Sequence, residues 1–150
     1  MVKARIVQHF DYIELTKKSQ DNSSNVIRLL LVDDTYVLLQ LSKEILSMQD
    51  DFEIDTATSA DEAFKKMERQ SYDVIVSDYE MPHKDGLEFL RALREQNNET
   101  PFILFAGVER EIASKALSFG ANCCTNDGSA ELVYDKLSSA IRAATKTKKP

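Results

Sequence analysis

The stretch "VIVSDYEMPHKDG", residues 74–86, decides how the rest of the chain is read. An apolar run stops abruptly on Asp78. Pro82 follows four residues later, and Asp85 and Gly86 follow seven and eight residues later. Four consecutive small or β-branched residues before a turn-forming cluster read as a strand buried on both faces. A buried strand that delivers a carboxylate to its last position needs a reason, and the reason depends on which other strands end the same way.

Working outward, the same pattern recurs. "VIRLLLV" (26–32) is a second apolar run, and it ends in Asp33-Asp34. Apolar residues Val37, Leu38, Leu41, Ile45 and Leu46 at spacings of three and four mark a helix after it. "FEIDTA" (52–57) alternates as a short strand. "SADE" (59–62) has the form of a capping box with Ser59 as N-cap and Glu62 reaching back, opening a helix with Ala63, Phe64 and Met67 on one face. The strand containing Asp78 spans 72–77, and Leu87, Leu90 and Leu93 mark a third helix. "PFILFA" (101–106) is a strand opened by Pro101, whose missing N–H is tolerated at a strand start. Ile112, Ala113, Ala116 and Leu117 mark a fourth helix closed by Gly120. "ANCCT" (121–125) is a short strand. Ser129 caps a last helix with Val133, Leu137 and Ile141 inward. Strand and helix alternate five times, which predicts an α/β fold: a five-stranded parallel sheet, doubly wound as (βα)5.

The flanks read differently. Residues 1–25 form an N-terminal extension, with apolar Ile6, Val7, Phe10, Ile13 and Leu15 followed by the polar linker "SQDNSSN" (19–25). That spacing is compatible with a short helix packing on the domain or on a partner, and equally with a poorly ordered end. The globular domain spans 26–145, and 146–150 is a basic tail.

Bulk properties narrow the function classes. The chain has 150 residues, 43% hydrophobic and 29% charged, as one soluble domain would. A net charge of -6 argues against a nucleic-acid-binding surface. No apolar run is long enough to span a membrane, and no signal peptide is evident, so a cytoplasmic protein is expected. Adjacent Cys123 and Cys124 read as two small buried residues in a reducing compartment.

In a doubly wound sheet, ligands bind beyond the carboxyl ends of the strands where strand order reverses. Asp33, Asp34 and Asp78 all belong to that edge. Three carboxylates in one place repel and raise one another's pKa unless a cation neutralises them. An all-oxygen donor set with open positions suits Mg²⁺, and an aspartate on a central strand can then act as a nucleophile toward a phosphoryl group. One such aspartate alone would read as a helix cap, as Asp34 and Asp85 each could. The conjunction of "LLVDD" with "VIVSDYEMPHKDG" is far more specific.

With these residues in view, 26–145 resembles a receiver domain of the two-component response regulators. The resemblance implies a flavodoxin-like fold and phosphoryl transfer from a histidine kinase to Asp78. It implies Mg²⁺ held by Asp33 or Asp34, by Asp78 and by the backbone carbonyl of Glu80. It also makes Met81, Pro82, Asp85 and Gly86 the family's loop. The family's output surface would fall at roughly 109–143, where homodimerisation is an expectation. Three positions depart from the pattern. Ala106 stands where a Thr or Ser is expected, Asp127 where a Lys is expected, and Cys124 where an aromatic is common. The hydroxyl and ammonium would contact phosphoryl oxygens. Their loss predicts an unconventional switch, and an acidic pocket that could hold Asp33, Asp34, Asp78, Glu80 and Asp127, with Arg110 and Lys84 as solvated charges in neighbouring loops. The second reading is a pseudo-receiver acting only through protein contacts. A phosphatase is disfavoured because Asp78 is followed by Tyr79-Glu80 rather than by a second aspartate two residues on. A flavin site is disfavoured because no Ser/Thr/Gly-rich loop follows the first strand. The sequence itself would not be an enzyme, and its downstream partner is expected on another chain or outside these 150 residues.

Overall fold

The computed structural model describes residues 26–146, so the extension at 1–25 and residues 147–150 lie outside the described residues. Five strands, β1 (Ile27–Val32), β2 (Phe52–Ala57), β3 (Val74–Ser77), β4 (Phe102–Phe105) and β5 (Asn122–Cys124), alternate with five helices. The helices are α1 (Tyr36–Gln49), α2 (Ala60–Arg69), α3 (Gly86–Glu95), α4 (Arg110–Ser118) and α5 (Ala130–Lys146). All strand pairs are parallel, in the order β2-β1-β3-β4-β5. The chain therefore reverses direction across the sheet between β1 and β3, the place where a doubly wound sheet leaves a crevice.

Parallel strands covered on both faces must be apolar at successive positions. Leu30, Val32, Ile75, Phe102 and Leu104 point to one face, where they meet Ala60 and Ala63 of α2, Phe89, Leu90 and Leu93 of α3, and Ala116 of α4. Leu29, Leu31, Val74, Val76 and Ile103 point to the other, under Leu39 and Leu46 of α1 and Val133, Leu137 and Ile141 of α5. Rings reinforce the first layer. Phe64 and Phe89 meet edge to face at 5.2 Å between centroids, and Phe89 and Phe102 at 5.6 Å. Such pairs add about 0.5–1.5 kcal/mol each beyond area burial.

The expected five βα units are all present, with shorter ends. Tyr72 is buried but precedes β3, and its hydroxyl donates to Asp55 Oδ2 at 2.6 Å. The buried face of α1 is Leu39 and Leu46, with half-buried Ser42 between them, whereas Val37, Leu38 and Leu41 are exposed. Leu117 on α4 is exposed too, at 65%. Its turn of the helix is closed instead by Phe119, which packs on the core, and by Gly120 at φ 80°. Arg110 is the first residue of α4 rather than part of a loop. Cys123 is exposed and Cys124 is half-buried, contrary to the expected buried pair, because β5 is a three-residue edge strand. Lys146 belongs to α5 and not to a tail. Ser59 does cap α2, accepting from the Glu62 amide at 3.1 Å, but Glu62 reaches one residue further back, to Thr58.

Candidate functional site

β1 and β3 are neighbours in register, Val32 opposite Ser77, so the residues that follow them emerge side by side. The Asp78 amide donates to Val32 O at 2.9 Å and the Asp33 amide to Ala57 O at 3.1 Å, which carries the sheet hydrogen bonding one step past each strand. The outcome is a cluster in which one carboxylate oxygen each from Asp33, Asp34 and Asp78 lie within 4.8 Å of one another. Asp34 and Asp78 border an open depression of about 560 Å³ also lined by Glu80, Met81 and Asp85.

Local hydrogen bonds aim the carboxylates. Asp33 Oδ1 accepts from the Thr35 amide at 2.9 Å, a short-range turn that also opens α1. Asp78 Oδ1 accepts from the Tyr79 amide at 2.7 Å. Buried Ser77 donates its hydroxyl to the Asp78 carbonyl oxygen at 2.9 Å, fixing the peptide on which the carboxylate is mounted.

The Pro-Gly loop answers the question raised by residues 74–86. Met81 is buried in the core on the α2–α4 side and anchors the loop. The Lys84 amide donates to Pro82 O at 2.8 Å, with His83 between them at φ 72°. The chain then returns so closely that the Gly86 amide donates to Tyr79 O at 2.7 Å. Asp85 caps α3 in a full capping box, accepting from the Glu88 amide while Glu88 accepts from the Asp85 amide. Lys84 does not face the acids as a free charge, since its ammonium lies 5.7 Å from the Phe64 ring centroid.

Electrostatics follow from this crowding. Burial, and after it the Asp78 and Asp34 charges, push Asp33 up to about 6, against the pull of the Thr35 amide. Burial also raises Asp78, helped by Asp34 and Glu80 and opposed by the Tyr79 and Glu80 amides. No cation pairs with these three carboxylates among the described residues. A hard divalent cation fits this donor set: three converging oxygens, mutual repulsion, and an open side for water or a phosphate.

The structure separates the other predicted positions from this cluster. Ala106 is buried, its amide donating to Cys124 O at 3.1 Å, and it offers no polar side chain. Cys124 packs on the α1–α5 side of the sheet. Asp127 is not one of the converging acids, because its carboxylate turns toward Gly107, where a Cβ would sit 3.6 Å from both oxygens. Thr35 and Ser77 were not singled out from sequence. An acidic residue two positions before a helix-opening Thr was the available signal for the first. Nothing local marks the second.

Comparison with known proteins agrees with this geometry. The family model described as "Response regulator receiver domain" matches residues 29–125. A probable chemotaxis protein CheY of Rhizobium etli is 30% identical over 120 residues, covering 78% of this chain and 91% of that one. A protein-glutamate methylesterase/protein-glutamine glutaminase of Treponema denticola is 36% identical over 99 residues, or 63% of this chain and 27% of that one. The sensor protein EvgS of Escherichia coli strain K12 is 31% identical over 124 residues, or 82% of this chain and 10% of that one. The chain thus spans only a minor part of the methylesterase and of the sensor. Among solved structures, the Francisella response regulator 1452 receiver domain superposes with a TM-score of 0.72 at 29% identity, covering 82% of this chain and 99% of that one. The response regulator TrrA of Thermotoga maritima, solved in complex with Mg(2+)-BeF, superposes with a TM-score of 0.66 at 30% identity, covering 79% and 99%. A five-stranded parallel sheet in the order 2-1-3-4-5, with an acid cluster at its reversal point, thus belongs to the response regulator receiver domains of two-component signalling, and this chain is a member of that family.

Proposed function

We propose that Asp78 is the phosphoacceptor of this receiver domain, that a histidine kinase is its donor, and that Mg²⁺ is its cofactor. The convergence of Asp33, Asp34 and Asp78 within 4.8 Å carries this reading. Asp33, Asp34, Asp78 and the Glu80 carbonyl would hold the metal, whose chemistry is to neutralise charge on the phosphoryl oxygens. An Asp78 carboxylate oxygen attacks the phosphorus of a phosphohistidine. The P–N bond breaks as the O–P bond forms, and the electron pair leaves on the imidazole nitrogen, which takes up a proton. Ser77 holds the Asp78 peptide still during attack, through its bond to the Asp78 carbonyl. Ala106 supplies no hydroxyl to the phosphoryl group and Asp127 no ammonium, so transfer is slow and the readout does not use a hydroxyl–aromatic pair.

Relatives support the parts of this reading. TrrA is described in complex with Mg(2+)-BeF, and a beryllofluoride-activated NtrC4 receiver domain, 28% identical with a TM-score of 0.69, is described as a dimer. A homodimer of this chain through α4, β5 and α5 belongs to the same proposal. Among the described residues no helix is long and apolar enough to cross a membrane.

The test is a titration of the 150-residue chain with Mg²⁺ and then beryllofluoride, followed by NMR. Shifts around Asp78 that need both additions and vanish in Asp78→Ala are expected. A second reading, a pseudo-receiver working by protein contacts alone, is favoured by Ala106 and by the orientation of Asp127. It predicts a Mg²⁺ response with none to the mimic.

A further inference from the structure

α1 opens at Thr35 without a side-chain cap. A threonine in that position ordinarily accepts a hydrogen bond from an amide two or three residues on. Here the Thr35 hydroxyl has no hydrogen-bond partner among the described residues, while the Thr35 amide donates to Asp33 Oδ1 at 2.9 Å. The short turn at Asp33 therefore holds the Thr35 backbone and leaves the hydroxyl uncommitted. Thr35 is exposed, and it lines the depression of about 560 Å³ together with Asp34, Asp78 and Glu80.

Other hydroxyls at the carboxyl edge of the sheet are engaged or face elsewhere. Ser77 donates to the Asp78 carbonyl oxygen, and Thr58, after β2, donates to Glu62 Oε2 at 2.7 Å. Tyr79 lines the depression too, but it packs on the core face covered by α2, α3 and α4. Asp78 belongs to the opposite face, as alternation along an extended chain requires. It lines a small cavity with Leu39 of α1, Phe105 and Leu137 of α5. α1 covers that face, and Thr35 is the residue that opens α1.

We propose that the Thr35 hydroxyl donates a hydrogen bond to an oxygen of the phosphoryl group on Asp78, in place of the hydroxyl that Ala106 lacks. The proposal rests on Asp78 being the phosphoacceptor and adds a residue to that site. β1 and β4 flank β3 on its two sides. The donor therefore comes from the β1 side of Asp78, where Thr35 stands, rather than from the β4 side, where Ala106 stands. A hydroxyl suits a site crowded with carboxylates, because it binds an anionic oxygen without adding charge. Held by the Asp33 turn, it loses little freedom in doing so.

The test uses the 150-residue chain, with Mg²⁺ and then beryllofluoride titrated by NMR into the parent, Thr35→Val and Thr35→Ser. Thr35→Val keeps the amide that Asp33 uses and removes only the hydroxyl. It is expected to bind beryllofluoride about tenfold more weakly than the parent at saturating Mg²⁺, as loss of a hydrogen bond to a charged acceptor would produce. Its affinity for Mg²⁺ alone and its metal-free unfolding temperature should match the parent's, and Thr35→Ser should restore the mimic. Equal beryllofluoride binding by parent and Thr35→Val overturns the proposal and leaves Asp78 as phosphoacceptor. An equal loss of affinity for Mg²⁺ alone assigns the hydroxyl to the metal's water and overturns it. A lowered unfolding temperature with weak mimic binding that Thr35→Ser does not restore assigns Thr35 to the helix start, and overturns it too. No response of the parent to beryllofluoride removes the phosphoacceptor reading and this proposal with it.

Discussion

An ideal Cβ on Gly86 would sit 2.2 Å from the Asp78 carbonyl oxygen and 2.8 Å from Leu104 Cδ1. Neither neighbour can yield, since one is backbone and the other is core. Gly86→Ala is therefore expected to destabilise the fold by at least about 2 kcal/mol in urea titrations, and to weaken Mg²⁺ binding by displacing the Asp78 peptide. Asp33 gives a pH-dependent prediction. Its folded pKa of about 6 lies above the ordinary 3.8, because burial and the Asp78 and Asp34 charges disfavour its anion. The folded chain holds that proton more tightly than the unfolded one does. The stability it contributes is fully present below about pH 4 and lost as pH rises through about 6. A shift of this size is nominally about 3 kcal/mol, and solvent screening of a half-exposed group reduces it to ~1 kcal/mol. In metal-free buffer, Asp33→Asn should unfold at a higher temperature than the parent near neutral pH, with the gap closing toward about pH 4. Saturating Mg²⁺ should reverse the order, since the parent then gains a ligand the variant holds poorly.

At the scale of elements, α3 and α4 differ in how they are held. The capping box of Asp85 and Glu88 satisfies amides at the start of α3, and Phe89, Leu90 and Leu93 are fully buried beneath it. Asp85→Ala should cost about 1 kcal/mol, and Phe89→Ala about 3–5 kcal/mol through the cavity left between Phe64 and Phe102. α4 has no side-chain cap and buries only Ala116 fully, next to a three-residue edge strand. Leu117→Lys should change stability by no more than about 0.5 kcal/mol. Native-state hydrogen exchange should find α4 and β5 opening well before α3. An element held this loosely is suited to move in response to charge at the sheet edge.

For the whole molecule, the question is which face leads outward from the acid cluster. The α4–β5–α5 side exposes Leu117 and Leu132, and under the proposed function it is the dimer face. Sedimentation with Mg²⁺ and beryllofluoride should then give a dimer that Leu117→Lys weakens. A strictly monomeric species at high concentration would sink that part of the reading. The opposite side is tied together more firmly. α1 and α5 are joined by Ser42 with Tyr134, by Gln49 with Ser138, and by Arg142 donating to Asp50 Oδ2 at 2.6 Å.

The sequence by itself determined the alternation of elements and the strand-end acids. Apolar runs of fixed length, turn residues and caps are local, and "LLVDD" and "VIVSDYEMPHKDG" carry their meaning in a few consecutive residues. Only the tertiary structure decided which acids meet. Asp127 occupies a strand-end loop like Asp78, yet the path of its loop turns it to Gly107 and out of the cluster. Only the tertiary structure distinguished the two faces of α1, because Val37, Leu41 and Met48 have a helical spacing as regular as that of Leu39 and Leu46. Periodicity gives the spacing of a face but not its direction, and direction is set by where the neighbouring sheet and helix lie.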